Sequence, residues 1–445
     1  MAEISKKRRI WGWFFYYWAA QPYFTLLLTF IFAPYITDLM GSGSAAQTIW
    51  GYGNTAFGLI VALSAPFLGT IADKTGGRTR FIAVFALFYV LGAWGLWYAA
   101  PGHYNLFFVM ASFGVGLIAT ELAAIVANAM LPTLGEPDEL GRISGSAWGF
   151  GYAGGVVSLI LMLCLFAEQH TGKTLIGIAP IFGLDPALRE GTRAVGPFTA
   201  IWYAIFIIPF FLWTRDPVRP GSPGIIAAAR TAWPDLKQTL ATLPGNRNLS
   251  LFLVASMLYR DALNGMFIFG GIYASGVLGW SVVNVGVFGI LAAVTGATFA
   301  WLGGKADSAY GPKPVIIVCL VVLTGVAITT LNLSRSSIFG LAVAPTSSLP
   351  DITFYILGAL IGASAGAMQA ASRTLMVKLA NPARMTEAFG LYALAGQATS
   401  FIAPLAIAIT TSITGSQQSG ISPLIVLFVL GLALLLFVKL KGAYA

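Results

Sequence analysis

The turn that ends the second long apolar run of this chain reads Gly69-Thr-Ile-Ala-Asp73-Lys74-Thr-Gly76-Gly77-Arg78. The turn that ends the eighth run reads Gly303-Gly-Lys-Ala-Asp307-Ser-Ala-Tyr-Gly311-Pro-Lys313. Both contain Gly-x-x-x-Asp, then a glycine, then a basic residue, and the two aspartates lie about half the chain apart. This internal repeat predicts two related halves, each a bundle of helices.

The composition predicts that these helices cross a membrane. Of the 445 residues, 57% are hydrophobic and only 9% are charged, and the mean hydropathy is +0.81. Roughly twelve apolar runs reach the ~20 residues that span a bilayer. They lie near 12–39, 50–72, 81–100, 105–131, 143–166, 197–214, 250–277, 281–303, 314–333, 352–378, 386–411 and 421–440. The predicted fold class is an all-α membrane protein with twelve transmembrane helices in two pseudo-symmetric six-helix bundles.

A long polar connection divides the runs six and six. Residues 215–249 are rich in Pro, Gly and Ala, and part of this segment (225–242) is predicted as a surface helix. We therefore expect an N-terminal bundle at 1–214, a linker at 215–249 and a C-terminal bundle at 250–445.

The net charge of +9 follows from topology rather than from an acidic partner. With both termini on one side, the segments on that side carry most of the lysines and arginines, which is the positive-inside bias. The sequence therefore predicts cytoplasmic termini and membrane lipids as neighbours, with no nucleic acid bound.

The repeated turns are predicted to latch one conformation. Glycine lets helix ends approach closely, the aspartate can accept hydrogen bonds at a helix N-terminus, and the basic residue can pair with the aspartate or bind a lipid phosphate. The alternative is an ordinary polar turn with topogenic charge. The predicted latch residues are Gly69, Asp73, Arg78, Gly303, Asp307 and Lys313.

Five charged residues lie inside apolar runs: Glu121, Arg260, Asp261, Arg373 and Lys378, of which Lys378 is near a helix end and is expected to snorkel to the cytoplasmic interface. Each costs at least ~2.5–3.5 kcal/mol in hydrocarbon, so such residues usually face a protein interior or a wet cavity. We expect a solute or coupling-ion pathway, with Arg373 paired to Glu121 or to Asp261. The alternative is a structural network that holds the halves together. Arg260 and Asp261 point about 100° apart on a helix, so they should not share one partner.

Polar residues on the same runs as these charges extend the candidate pathway. Asn128, Asn264, Gln369 and Tyr259 could hydrogen-bond a substrate, although polar side chains in membrane helices more often bond neighbouring helices.

Enzyme chemistry is not indicated. No nucleophile is accompanied by a base and an orienting acid, and Gly172-Lys173-Thr174 lacks the upstream glycine of a phosphate-binding loop. The cysteines and histidines have no metal-ligand spacing. We expect neither a cofactor nor a metal.

The first turn resembles the signature of the major facilitator superfamily, Gly-x-x-x-Asp-Arg-x-Gly-Arg-Arg, with Lys74 in place of an arginine and Gly77 inserted before Arg78. Further stretches resemble the bacterial branch of the family named for fungal autophagy-related vacuolar amino-acid effluxers. They are Tyr259-Arg-Asp261-Ala-Leu-Asn264, Gln369-Ala-Ala-Ser-Arg373-Thr-Leu-Met376 and Phe389-Gly-Leu-Tyr-Ala-Leu-Ala-Gly396. The branch usually carries Tyr-Asp-Trp-Ala-Asn in helix one. Here Tyr17-Trp18-Ala19-Ala20-Gln21 lacks the aspartate, so its role does not carry over.

The resemblance implies a monomeric secondary transporter in a bacterial inner membrane. In that fold helices one, four, seven and ten line a central cavity, and the embedded charges fall on helices four, seven and ten. The resemblance further implies alternating-access efflux of an amino acid or related small solute, with proton coupling through Glu121 or Asp261. A lipid or lipophilic-compound exporter of the same fold is an alternative, as is a non-transporting membrane scaffold or receptor.

Overall fold

The computed structural model describes residues 4–40, 43–169, 171–214, 216, 221–280, 282–344 and 346–439, and most of them are helical. The first helices are α1 (Lys6–Pro22), α2 (Phe32–Leu39), α3 (Gly43–Thr75), α4 (Arg78–Gly95), α5 (Leu106–Asn128), α6 (Leu140–Leu161), α7 (Glu190–Arg193), α8 (Val195–Phe206) and α9 (Ile208–Trp213). The wider turns of a π-helix follow α1 at Tyr23–Phe30 and α6 at Met162–Phe166.

The second half of the chain is built in the same way. Its helices are α10 (Ile225–Thr242), α11 (Arg247–Leu278), α12 (Val282–Tyr310), α13 (Pro312–Leu331), α14 (Leu349–Leu379), α15 (Met385–Ala398), α16 (Ile402–Thr414), α17 (Gln417–Gly420) and α18 (Ser422–Phe437). Two short antiparallel strands, β1 (Ser337–Ile338) and β2 (Leu341–Ala342), form a hairpin before α14. The surface helix predicted at 225–242 is confirmed as α10.

Eleven helical segments of the described chain are long and apolar enough to cross a membrane. The predicted run at 386–411 is not among these eleven, because it is divided into the shorter helices α15 and α16 with a turn at residues 399–401. Pro404 explains the division. A proline has no N–H to donate, and its ring clashes with the carbonyl four residues earlier, here that of Ser400.

The helices cluster into two compact units. The first unit contains residues up to Met130 together with Phe150–Ala232, and the second contains Leu131–Gly149 together with residues from Trp233 onward. Helix α6 therefore contributes its N-terminal half to the second unit and its C-terminal half to the first. The predicted limits at residues 214 and 249 stay predictions.

Aromatic side chains fill the first unit. Tyr89 stacks on Tyr203 with ring centroids 3.9 Å apart, and Tyr23 meets Tyr89 edge-on at 5.0 Å. The Trp13 indole donates to the Ala127 carbonyl oxygen at 2.8 Å, which joins α1 to α5. Buried aromatic groups of this kind supply large apolar areas and fix the distance between helices.

Small residues set the packing of the second unit. A β-carbon on Gly303 would lie 2.6 Å from the Ala367 β-carbon, so only glycine allows α12 and α14 to approach this closely. A β-carbon on Gly145 would likewise overlap the Ala300 carbonyl oxygen and lie 2.6 Å from the Gly304 α-carbon. Close backbone contact through small residues is the usual way in which membrane helices associate.

Candidate functional site

Helices α1 and α5 form a polar cluster in the first unit. Glu121 and Asn128 are seven residues apart on α5, about two helical turns, so they lie on the same face. The Tyr17 hydroxyl donates to the Asn128 side-chain oxygen at 2.6 Å. The buried Tyr16 ring lies near Glu121, and its hydroxyl has no hydrogen-bond partner among the described residues. The sequence pattern identified Glu121 and Asn128 but not Tyr16.

Arg373 lies in the interior of the second unit, and only 3% of it is exposed. Its guanidinium donates to the Ser144 carbonyl oxygen at 2.7 Å and stands 5.2 Å from the Trp148 ring centroid. The Ser144 hydroxyl donates in return to the Ala370 carbonyl oxygen at 2.8 Å. A buried guanidinium thus joins α14 to the N-terminal half of α6. Ser144 and Trp148 were not predicted, because no sequence pattern shows which helix faces an arginine.

Arg260 and Asp261 point to different partners, as their helical spacing predicts. Arg260 donates to the Tyr392 carbonyl oxygen at 3.0 Å and lies over the Tyr392 ring at 4.2 Å. Asp261 is buried, and its Oδ2 accepts from the Ala403 backbone N–H at 2.9 Å. Within the described chain Asp261 forms no ion pair, so the structure does not join it to Arg373.

The remaining predicted pathway residues have diverse surroundings. The buried Tyr259 hydroxyl shares a 2.8 Å hydrogen bond with the Ser372 hydroxyl, which links α11 to α14 beside Arg373. The Asn264 side chain is exposed, and Gln369 is half-buried. Tyr259 therefore has a helix-joining contact, whereas Asn264 lies at the protein surface.

The turn after α3 is held by charged contacts. The Arg78 guanidinium pairs with Asp73 at 2.8 Å, and the Arg78 backbone N–H donates to the Asp216 carboxylate at 2.8 Å. Lys74 donates to the Thr231 hydroxyl on α10 at 2.7 Å. Gly69 is buried. The turn thus fixes two points of the segment that follows α9, and Asp216 is a partner that the sequence did not indicate.

The turn after α12 uses its charges differently. Only 2% of Asp307 is exposed, and a β-carbon on Gly141 would lie 2.5 Å from the Asp307 Cγ. Asp307 therefore lies against the first turn of α6, where the helix dipole favours an anion. Thr374 and Lys378 are nearby, but neither carboxylate oxygen has a hydrogen-bond partner among the described residues. Lys313 donates instead to the Leu436 and Val438 carbonyl oxygens, at 2.8 and 2.7 Å.

A cavity of about 280 Å³ lies in the second unit between α11, α16 and α17. Its lining is mostly apolar, with a few polar groups. The lining residues are Phe269, Tyr273, Ile407, Ala408, Thr411, Ser412, Gln417 and Ile421. In the part of the chain that the structure describes, no group of three or more His, Cys, Asp or Glu side chains could hold a metal ion.

Solved structures of major facilitator transporters share this fold. The human organic anion transporter MFSD10 matches with a TM-score of 0.69 and 17% identity, over 97% of this chain and 100% of that chain. The proton:xylose symporter XylE matches with a TM-score of 0.66 and 13% identity, over 98% and 96%. The protein is therefore a multi-pass integral membrane protein with the major facilitator fold, as the sequence predicts.

Sequence relatives narrow this class to one family. The family model described as "Vacuole effluxer Atg22 like" matches residues 39–444, so the chain belongs to that family. The uncharacterized MFS-type transporter YxiO of Bacillus subtilis (strain 168) is 26% identical over 98% of this chain and 96% of its own length. Autophagy-related protein 22 of Cryptococcus neoformans is 24% identical over 66% of this chain, which spans about half of that relative's length. The chain is thus a membrane transporter and not an enzyme.

Proposed function

We propose that this transporter moves a small polar or amphipathic solute, an amino acid or a related compound, by alternating access, with Glu121 and Arg373 on the polar pathway. The observation that supports this proposal most directly is the polar cluster on α1 and α5. There the Tyr17 hydroxyl donates a hydrogen bond to Asn128, and Tyr16 lies near Glu121. A carboxyl group among buried and half-buried hydroxyl and amide groups can bind an amine or carry a proton. The family description as an effluxer supports export as the direction.

Arg373 is the candidate contact for an anionic group of the solute. An arginine presents its donors in a planar fork that matches a carboxylate, which suits the Arg373 side chain to the acid group of an amino acid. If transport is proton-coupled, either Glu121 or Asp261 carries the proton, because these are the acidic residues well inside the membrane helices. Solute binding and proton coupling both require the charge of these side chains. A substitution that keeps the side-chain volume but removes the charge should therefore reduce flux.

Glu121→Gln tests this proposal because it removes the charge and keeps the shape. The purified protein is reconstituted in liposomes and assayed for counterflow of tritiated leucine, lysine and glutamate at pH 5.5 and pH 7.5. We expect the variant to lose flux of the transported solute by at least about tenfold, or to lose its pH dependence, while eluting as a folded monomer.

Glu136→Gln is the matched control. Glu136 is exposed in the connection before α6, so the same chemical change should leave flux and its pH profile intact. Wild-type flux with a normal pH profile in Glu121→Gln would remove Glu121 from the pathway.

A lipophilic solute is a second candidate, and the cavity of the second unit favours it. Phe269, Ile407 and Ile421 give that cavity an apolar wall, while Thr411 and Gln417 add polar groups, so it suits an amphiphile better than a free amino acid. Thermal stabilisation by lysophospholipids and not by amino acids, abolished by Ile407→Trp, would favour this candidate. Stabilisation by amino acids alone would exclude it.

We further propose that the protein lies in a bacterial inner membrane with both termini in the cytoplasm. The clustering of Lys and Arg in alternate connections supports this orientation. A C-terminal green fluorescent protein fusion should fluoresce, whereas a C-terminal alkaline phosphatase fusion should be inactive. The opposite pattern would reverse the topology.

A further inference from the structure

The break between α15 and α16 is held by two consecutive residues of α11. Arg260 contacts α15, where a β-carbon on Gly396 would lie 2.7 Å from its guanidinium nitrogen and Tyr392 accepts its hydrogen bond. Asp261 contacts α16 through the Ala403 N–H. The cation thus lies against the helix that ends at the break, and the anion lies at the N-terminus of the helix that begins there. Both placements match the helix dipoles.

Asp261 uses only one of its two carboxyl oxygens at this junction. Its Oδ2 accepts from Ala403, the second residue of α16, in the position of a helix cap supplied by another helix. Its Oδ1 is buried and has no hydrogen-bond partner among the residues that the structure describes. Arg260, the nearest cation along the chain, directs its guanidinium to α15 and does not pair with it. A buried carboxyl oxygen without a partner is a place where a proton can bind.

We propose that Asp261 binds a proton and thereby controls the α15–α16 junction. The ionised carboxylate holds the first turn of α16 through the Ala403 N–H and the helix dipole. Protonation removes the charge, so the cap weakens and the junction opens more often. A role of this junction in coupling protons to transport rests on the proposed function. The opening of the junction on protonation of Asp261 does not, because it should occur in the protein without solute.

Few other charges face this junction. Helices α16, α17 and α18 contain no charged residue. The helices packed on α11 that do carry charges are α12, α14 and α15. Their charged residues are Lys305, Asp307, Asp351, Arg373, Lys378 and Glu387. Asp307 lies at Gly141, Asp351 pairs with Arg335, and Glu387 is in the first turn of α15, at the end of that helix away from the break, so none of these acidic groups caps α16.

Hydrogen–deuterium exchange of the full-length protein in lipid nanodiscs tests the proposal. Peptides that cover residues 399–410 are followed from pH 9 to pH 4, with rates corrected for intrinsic exchange. In the wild type we expect protection of this segment to fall roughly two- to thirtyfold as the pH decreases, the range of a helix-terminus charge effect. Asp261→Asn should show the low protection at every pH, because it keeps the shape but cannot titrate.

Asp351→Asn is the matched control. Asp351 also lies in the first turn of a helix of the second unit, so its loss should leave the pH profile of residues 399–410 unchanged. Constant protection in the wild type, or a normal pH profile in Asp261→Asn, would overturn the proposal. The wild-type profile suffices if the variant fails to assemble. Absence of solute flux in liposomes would instead contradict the transport proposal and leave the exchange result standing.

Discussion

The two repeated turns carry the same residue types but build different contacts. In the first turn, the base and the aspartate pair with each other, since Arg78 binds Asp73 at 2.8 Å and its backbone also binds Asp216. In the second turn they separate. Asp307 lies against the first turn of α6, while Lys313 caps the carbonyl end of α18. A repeated motif therefore preserves the chemistry of a turn more faithfully than the identity of its partners.

Spacing explains part of this difference. Arg78 is five residues after Asp73 and can fold back on it, whereas Lys313 is six residues after Asp307, with Gly311 between them at a φ of 87°. The Lys313 side chain consequently projects from the start of α13 towards α18. If the two turns act as latches, the first is held by an ion pair and the second by helix-end dipoles, so they should respond differently to the same substitutions.

Crowding the second turn should have the largest effect. Gly141→Val places a side chain where the Asp307 carboxylate now lies, and overpacking of this kind costs about 1–3 kcal/mol of unfolding free energy. The thermal unfolding midpoint in detergent should fall clearly below that of the wild type. Gly325→Ala is the control, because its β-carbon would have no neighbour within 4 Å. Equal midpoints for both variants would mean that Asp307 does not depend on close contact with α6.

Neutralising each aspartate should separate the two turns. Asp73→Asn weakens a mostly buried ion pair but leaves an amide oxygen that can still accept from Arg78, so it loses only part of the about 1.5–3 kcal/mol that a charged hydrogen bond of this kind contributes. Asp307→Asn breaks no ion pair, so the unfolding free energy should fall less than in Asp73→Asn. Burial of a neutral amide also costs less free energy than burial of a charged carboxylate, which offsets part of the loss. Paired chemical-denaturation curves of the two variants measure the difference. Identical losses would show that the two turns are equivalent after all.

Removing the second base should have the smallest effect. Lys313→Met loses two hydrogen bonds to the end of α18, a partly exposed contact that contributes about 0.5–1 kcal/mol. Amide exchange should rise in the last turn of α18 and not at Asp307. Lys305→Met is the control, because Lys305 lies over the Trp301 ring and not at a helix end. Faster amide exchange around Gly141 in Lys313→Met would show instead that Lys313 supports the contact between Asp307 and Gly141.

Helix positions could be predicted from the sequence because they depend on local hydropathy and length. The predicted fold class and the linker helix followed from these patterns. The division of α15 from α16 had a signal in Pro404, but a single proline does not reveal whether a membrane helix bends or stops. The Asp261–Ala403 contact could not be predicted, since it depends on how α11 packs on α16.

The residues of the candidate site could be predicted from the sequence, but the groups that they contact could not. Charges within apolar runs indicated Glu121, Arg260, Asp261 and Arg373, because insertion energies make such residues rare. Arg373 contacts a backbone carbonyl at Ser144 and an aromatic face at Trp148. Backbone acceptors exist at every residue, so only tertiary structure decides which one an arginine meets.

The divided span also has a consequence for biosynthesis. Helices α15 and α16 contain 14 and 13 residues, each shorter than the ~20 that a segment needs to cross hydrocarbon unaided. The insertion machinery would therefore release this span into lipid poorly if it emerged alone. Helix α11 is synthesised earlier, so Arg260 and Asp261 are already available when α15 and α16 leave the ribosome. The nascent span can therefore pack against α11 as it is inserted.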